Sequence, residues 1–128
     1  MQSPSYDFDT FVHECDAGED VRVLADASAT ASRDFGLHTD NAVMSFVAHW
    51  MESPTFINST PLRWTSMGGP VITVDAYSFY SNTTYGYLAF FQGVRKDRWI
   101  IKSLKKNRDP DPRFHTMRRA FQLAGLNT

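Results

Sequence analysis

Four side chains in the second half of the chain are suited to chemistry at a phosphate: Tyr87, Lys102, Lys105 and His115. Cleavage of RNA without a metal ion needs a base for the 2′-hydroxyl proton, cations for the crowded phosphate and an acid for the leaving 5′-oxygen. Lysine supplies a cation. Histidine titrates near neutral pH and a field of cations lowers the pKa of a tyrosine, so either supplies an acid or a base. Lys102 and His115 are candidate catalytic residues by residue type and by their place among the basic residues.

All ten basic residues of the second half lie between Arg95 and Arg119. Such a run favours a polyanionic partner, because each lysine or arginine that meets a phosphate releases counterions. Trp99 lies within the run and offers a surface for base stacking, although aromatic side chains in strands more often belong to a core. Besides the lysines named above, the predicted RNA-binding residues are Arg95, Lys96, Arg98, Trp99, Lys106, Arg108, Arg113, Arg118 and Arg119.

The charge of the chain is divided unevenly between its halves. Residues 1–64 hold three Lys/Arg and ten Asp/Glu, a net charge of −7, whereas residues 65–128 hold ten and four, a net charge of +6. The overall charge of −1 hides this division. One interpretation is a basic surface for nucleic acid. The alternative is that the two halves face each other and cancel within the fold.

Length and composition predict one domain over residues 1–128. The chain is 42% hydrophobic, enough for a core without disulfide bonds, and Cys15 is its only cysteine. No apolar run approaches the roughly 20 residues that span a membrane, and residues 1–9 lack the pattern of a signal peptide. We therefore expect a cytoplasmic protein that does not contact membrane. The histidines and the single cysteine lack metal-motif spacing, so we expect no metal and no cofactor.

Hydrophobic periodicity predicts three helices in the first half, over residues 8–15, 21–35 and 41–51. Asp7 or Asp9 is expected to cap the first helix, and Gly18 to end it. Gly36 is expected to end the second, and Thr39 or Asp40 to cap the third. Residues 53–70 are rich in turn signals, including two Ser-Pro or Thr-Pro pairs, and are predicted to lack regular structure.

The second half changes to the two-residue period of strands. Strands are predicted over residues 71–79, 85–91 and 98–104, followed by a helix over residues 113–124. The sequence therefore predicts an α+β fold in which N-terminal helices pack on a three- or four-stranded antiparallel sheet, with a C-terminal helix. Regular alternation puts Lys102 and Lys105 on opposite faces, and which of them faces Tyr87 stays open.

A set of short sequence motifs resembles, in order and spacing, motifs of the motility quorum-sensing regulator toxins, which are mRNA interferases. The resemblance covers residues 23–107. In that family a helix ends in Leu-Gly-Leu, and a Ser-Asp-Phe-Tyr-Lys-Ser element follows a second helix. Later come Asp-x-Tyr, a strand that ends in Tyr-Leu-x-hydrophobic and a strand that ends in Ser-Phe-Lys. The corresponding motifs here are Phe35-Gly36-Leu37, Glu52-Ser53-Pro54-Thr55-Phe56, Asp75-Ala76-Tyr77, Tyr87-Leu88-Ala89-Phe90 and Ser103-Leu104-Lys105.

The resemblance implies a RelE-like, metal-independent endoribonuclease that acts as a toxin and is held in check by a cognate antitoxin. The family uses two lysines, a glutamine and a tyrosine around the scissile phosphate. The tyrosine falls on Tyr87 and one lysine on Lys105. The other lysine falls on or near Asn58 and the glutamine on Val74, so these two positions do not match.

A second hypothesis follows from those two mismatches. The chain is then a non-enzymatic module of phage or immunity type, which either binds RNA or inhibits a protein. The acidic residues between Asp7 and Asp40 provide a surface for a basic protein partner. Binding without cleavage separates this hypothesis from the first.

Overall fold

The computed structural model describes residues 2–63, 69, 71–93 and 98–112 of the chain. Three helices and five strands are formed there. The strands make one sheet in the order β1-β5-β4-β3-β2, with β1 parallel to β5 and the other neighbours antiparallel. The elements are α1 Phe8–Ala17, β1 Val21–Val23, α2 Ala25–Phe35, α3 Asp40–His49, β2 Glu52–Arg63, β3 Val71–Ser81, β4 Thr84–Gln92 and β5 Trp99–Lys106.

The α+β class is confirmed, but the sheet has five strands and mixed directions rather than three or four antiparallel ones. The predicted helix over residues 21–35 is wrong in its first turn. Val21–Val23 is a strand that pairs in parallel with Trp99–Ile101, and α2 begins only at Ala25. Two β-branched valines suit a strand, and the pairing partner lies almost 80 residues away in sequence.

The prediction of irregular structure between residues 53 and 70 is also wrong, because most of this segment is the 12-residue strand β2. Pro54 and Pro61 lie within it. An edge strand tolerates proline, since the missing N–H points away from the sheet, and β2 is the edge neighbour of β3. The β2–β3 ladder shifts register between Glu52 and Thr55 and again between Phe56 and Asn58. Ser53, whose φ is 50°, lies in the first shift.

The helix ends follow the predicted capping chemistry. Asp7 accepts a hydrogen bond from the Thr10 N–H at 3.0 Å, and the Thr39 hydroxyl accepts one from Ala42 N–H at 3.0 Å. Gly18 and Gly36 end α1 and α2 in the left-handed conformation, at φ 73° and 70°. No helix among the described residues is long and apolar enough to cross a membrane.

The third helix is shorter than predicted. It ends at His49, so Trp50, which lies within the predicted range of 41–51, follows the last helical residue and is 65% exposed. The predicted helix over residues 113–124 and most of the connection between β4 and β5 lie outside the described residues.

The helices cover one face of the sheet and form the main core with it. Phe11 of α1 stacks on Phe90 of β4, with ring centroids 3.8 Å apart. Thr30 of α2 donates to the Leu104 carbonyl at 2.8 Å, which ties this helix to β5. Gly86 lies opposite Phe79 in the ladder, where a Cβ atom would overlap the Phe79 ring. Residues of β3, β4 and β5 that alternate with these core positions face the other side.

A buried carboxylate fastens the N-terminal segment to the sheet. Asp75 of β3 has no exposed surface. Its oxygens accept hydrogen bonds from the Ser5 N–H at 2.9 Å, the Tyr6 N–H at 3.0 Å and the Ser59 hydroxyl. The Gln2 side-chain amide also pairs with the backbone of Ser59, donating to its carbonyl and accepting from its N–H. The chain before α1 is thereby held against β2 and β3.

Burial of the single cysteine makes the folded state less stable at alkaline pH. Desolvation, with a smaller contribution from Glu14, raises the pKa of the Cys15 thiol from 9.0 to about 12. Between pH 9 and pH 12 the unfolded chain releases this proton while the folded chain keeps it. The contribution of the Cys15 thiol to the free energy of unfolding is therefore complete below pH 9. Above pH 9 it falls by about 1.4 kcal/mol per pH unit.

We expect urea titrations at about pH 8 and about pH 10 to show this loss in the wild type and to lack it in Cys15→Ala. An equal loss of stability in the alanine variant would assign the alkaline sensitivity to the tyrosines instead.

Candidate functional site

A hollow of about 210 Å³ lies on the face of the sheet that is opposite α1 and α3. It exists because small side chains occupy the middle of one row across the strands. Ala76 of β3 pairs with Ala89 of β4, between Asn58 on β2 and Ser103 on β5. The complete lining is Asn58, Thr60, Pro61, Leu62, Val74, Ala76, Tyr87, Ala89 and Lys102.

The hollow has an apolar floor and polar walls. Val74 adds to the two alanines of the floor, and both Val74 and Ala76 are buried. Asn58 stands on the β2 side and Lys102 on the β5 side, three strand spacings or about 14 Å apart. Tyr87 lies between them on β4. A concave surface with few convergent polar groups is the usual form of a ligand site.

A β-bulge in β5 determines which lysines reach the hollow. Ala89 pairs with Ser103 and the next residue, Phe90, pairs with Ile101, so Lys102 is the extra residue of the bulge. The bulge shifts the alternation by one position. Ile101 before it and Leu104 after it both lie in the helix-side core. Lys102 and Lys105 therefore both lie on the Tyr87 face, which answers the question left open by regular alternation.

Lys105 and Tyr87 contact each other directly. They are ladder partners, and the Lys105 Nζ atom lies 5.5 Å from the centre of the Tyr87 ring, within the range of a cation–π contact. Burial raises the pKa of the Tyr87 hydroxyl above its ordinary value of 10.0. In the free protein the pKa of Tyr87 is thus raised rather than lowered, because burial desolvates the hydroxyl. Tyr87 is a neutral hydrogen-bond donor at physiological pH.

No protein family, curated protein or solved structure matches this chain. What the hollow does must follow from its own residues. Three of the four positions singled out by the resemblance, Asn58, Val74 and Tyr87, line the hollow, and the fourth, Lys105, lies over the Tyr87 ring. These positions are 58, 74, 87 and 105 in sequence, and four different strands bring them together.

The remaining predicted RNA-binding residues divide into three groups. Trp99 is only 6% exposed and its ring contacts Tyr6, Phe11 and Phe90, so its prediction as a base-stacking residue is wrong. Arg98, Lys106 and Arg108 are exposed. The others lie outside the described residues: Arg95, Lys96, Arg113, His115, Arg118 and Arg119.

The described part of the chain shows little internal cancellation of the two charged halves, although the Lys106 charge helps to lower the pKa of the Asp34 carboxyl. Its ion pairs are Arg33–Asp34 and His49–Asp16, and both join residues of the acidic half. Within the described ranges, neither Lys102 nor Lys105 is paired with a carboxylate, and no group of three metal-ligating side chains occurs.

Sequence reasoning missed the residues that shape the hollow. Thr60, Leu62, Ala76 and Ala89 line it but carry no chemistry that stands out in the sequence. The available signal was the pair of alanines within otherwise bulky strands. Because Ala76 and Ala89 are 13 residues apart, only the β3–β4 register shows that they are neighbours.

Proposed function

We propose that this chain is a metal-independent endoribonuclease that cleaves RNA in the hollow of the sheet. The observation that carries the proposal is that Tyr87 and Lys102 line one hollow while the Lys105 ammonium lies 5.5 Å from the centre of the Tyr87 ring. Among the described residues, neither lysine pairs with a carboxylate. The RelE-like arrangement and the role of a toxin held by an antitoxin belong to the same proposal, as does a place in the cytoplasm with the RNA. The ordered resemblance over residues 23–107 supports them.

Lys102 and Lys105 hold the scissile phosphate in this proposal. A phosphorane-like transition state carries more negative charge on its oxygens than the starting diester, so fixed ammonium groups stabilise it preferentially. The resemblance requires a second lysine at the position of Asn58, which is neutral. Lys102 reaches the same hollow from the opposite side through the β5 bulge, and we propose that it supplies the missing cation.

Tyr87 acts as the acid. With its pKa raised by burial, its hydroxyl keeps its proton at neutral pH and donates it to the 5′-oxygen as the P–O5′ bond breaks. The 2′-oxygen attacks phosphorus and its proton passes to a base. The sequence predicts His115 as an acid or a base, and with Tyr87 as the acid the proposal assigns it the role of base. Products with a 2′,3′-cyclic phosphate and a 5′-hydroxyl are then expected.

The proposal is tested with purified protein and an end-labelled mRNA in excess chelator. We expect cleavage to persist without divalent metal, because no step uses one, and to weaken steeply as salt rises. Product ends are read by their sensitivity to phosphatase and kinase. Induced expression is expected to slow growth. Intact RNA under these conditions, together with unchanged growth, would contradict the proposal.

Binding without cleavage is the second candidate, and the composition of the hollow favours it at two positions. Val74 cannot donate a hydrogen bond, and the Asn58 amide carries no charge. A protein with this site can hold RNA through Lys102 and Lys105 without reaching the transition state. It would bind a labelled RNA with salt-dependent affinity, leave it uncut, and bind equally well after Tyr87→Phe.

A further inference from the structure

A second cleft of about 380 Å³ adjoins the hollow between the start of α2 and strand β5. Lys102 lines both spaces and is the wall between them. Lys105, whose ammonium lies over the Tyr87 ring, also lines the second cleft. The full lining is Leu24, Ala25, Asp26, Thr30, Lys102, Ser103 and Lys105.

Opposite charges share this cleft without pairing. Asp26 faces the same space as Lys102 and Lys105, yet among the described residues its carboxylate forms no ion pair and no hydrogen bond. The Thr30 hydroxyl is already used, since it donates to the Leu104 carbonyl at 2.8 Å. A carboxylate acceptor and ammonium donors therefore stand on opposite sides of an open space. A ligand that offers both donors and acceptors can bridge them.

We propose that the second cleft binds the nucleobase next to the scissile phosphate and that Asp26 determines which base is accepted. This inference rests on the proposed function. The carboxylate disfavours a second phosphate, because like charges repel at short range. It suits the N–H groups of a base edge, while Lys102, Lys105 or Ser103 donates to the ring carbonyl or ring nitrogen. Leu24 and Ala25 give the base an apolar surface to pack on.

The simpler role for Asp26 is structural, because an acidic residue in the first turn stabilises a helix. Asp40 provides the matched control. It is the acidic residue in the first turn of α3, it is exposed, and it lines neither the hollow nor the second cleft. A structural role predicts similar effects of Asp26→Asn and Asp40→Asn on melting temperature and no effect of either on base preference.

The experiment compares cleavage of an RNA with a randomised segment by wild type, Asp26→Asn and Asp40→Asn, with cut sites read by sequencing. We expect the wild type to prefer one base class beside the cut by on the order of tenfold or more. Asp26→Asn is expected to lose or change this preference, because an amide adds a donor where the carboxylate only accepts. Asp40→Asn is expected to keep it.

Binding of 2′-O-methyl oligonucleotides, which cannot be cleaved through a 2′-hydroxyl, separates the two proposals. RNA cleavage with no base preference, or with the same preference in Asp26→Asn, would overturn the base-reading role and leave the nuclease standing. Failure of the wild type both to bind and to cleave would overturn both. A base preference that Asp26→Asn changes both in binding and in cleavage supports the inference.

Discussion

Replacement of Tyr87 by phenylalanine is expected to slow RNA cleavage by about 10²- to 10⁴-fold, the usual contribution of a positioned acid. The change removes one oxygen atom and keeps the ring that contacts Lys105. Without the hydroxyl, the 5′-oxygen departs as an alkoxide unless water protonates it. We expect the loss in the single-turnover rate constant, with the affinity for uncleavable RNA nearly unchanged.

Tyr85→Phe is the matched control for this experiment. Tyr85 is two residues earlier on β4 and therefore on the same face, but its ring contacts Tyr80 at 5.1 Å and it does not line the hollow. We expect near-wild-type cleavage from this variant. Equal losses in the two variants would point to a general effect on the sheet, and full activity in Tyr87→Phe would remove the acid from the mechanism.

The largest effect on stability is expected from Asp75→Ala, at about 3 to 5 kcal/mol. The carboxylate is completely buried and accepts from two backbone N–H groups and a hydroxyl. Its removal leaves the Ser5 and Tyr6 N–H groups without their acceptor and a void between the N-terminal segment and the sheet. The measurement is the free energy of unfolding from urea titration.

Two further variants provide a smaller expected loss of stability and a control. Ser59→Ala removes one of the donors to Asp75 and is expected to cost about 1 kcal/mol. Asp20→Asn changes an exposed aspartate and is expected to stay within about 0.5 kcal/mol of wild type. A loss below about 1 kcal/mol in Asp75→Ala would mean that the N-terminal segment is held by other contacts.

Local chemistry made much of the fold predictable. Asp7, Thr39 and Gly36 act at the helix ends as their residue types require, because capping depends on neighbours within three or four positions. The three strands of the second half follow from their two-residue period. The strands β1 and β2 were missed because what makes each of them a strand is its neighbour in the sheet, which local sequence does not show. Val21–Val23 is a strand only beside β5, and the prolines of β2 are acceptable only at an edge.

The candidate site was predictable by residue type more than by geometry. Lys102 stands out as a cation in a basic region and the resemblance singles out Tyr87 and Lys105, and the structure brings the three to one face. Their shared face depends on the register shift in β5, which the pattern of hydrophobic residues does not predict. Trp99 shows the opposite error, because a strand aromatic among basic residues is still placed by burial. For the lysines and for Trp99 alike, the sequence does not show which face of the sheet a side chain takes until the pairing of the strands is known.

The extra residue in β5 has a consequence for how this chain is compared with others. Lys102 and Lys105 are three positions apart, a separation that an uninterrupted strand would split between solvent and core. A relative lacking the bulge would place its equivalent cations two or four positions apart, and an ungapped alignment would then match the wrong lysine. Deletion of Ser103 would restore regular alternation and put the two lysines two positions apart, so both would keep the Tyr87 face without the bulge.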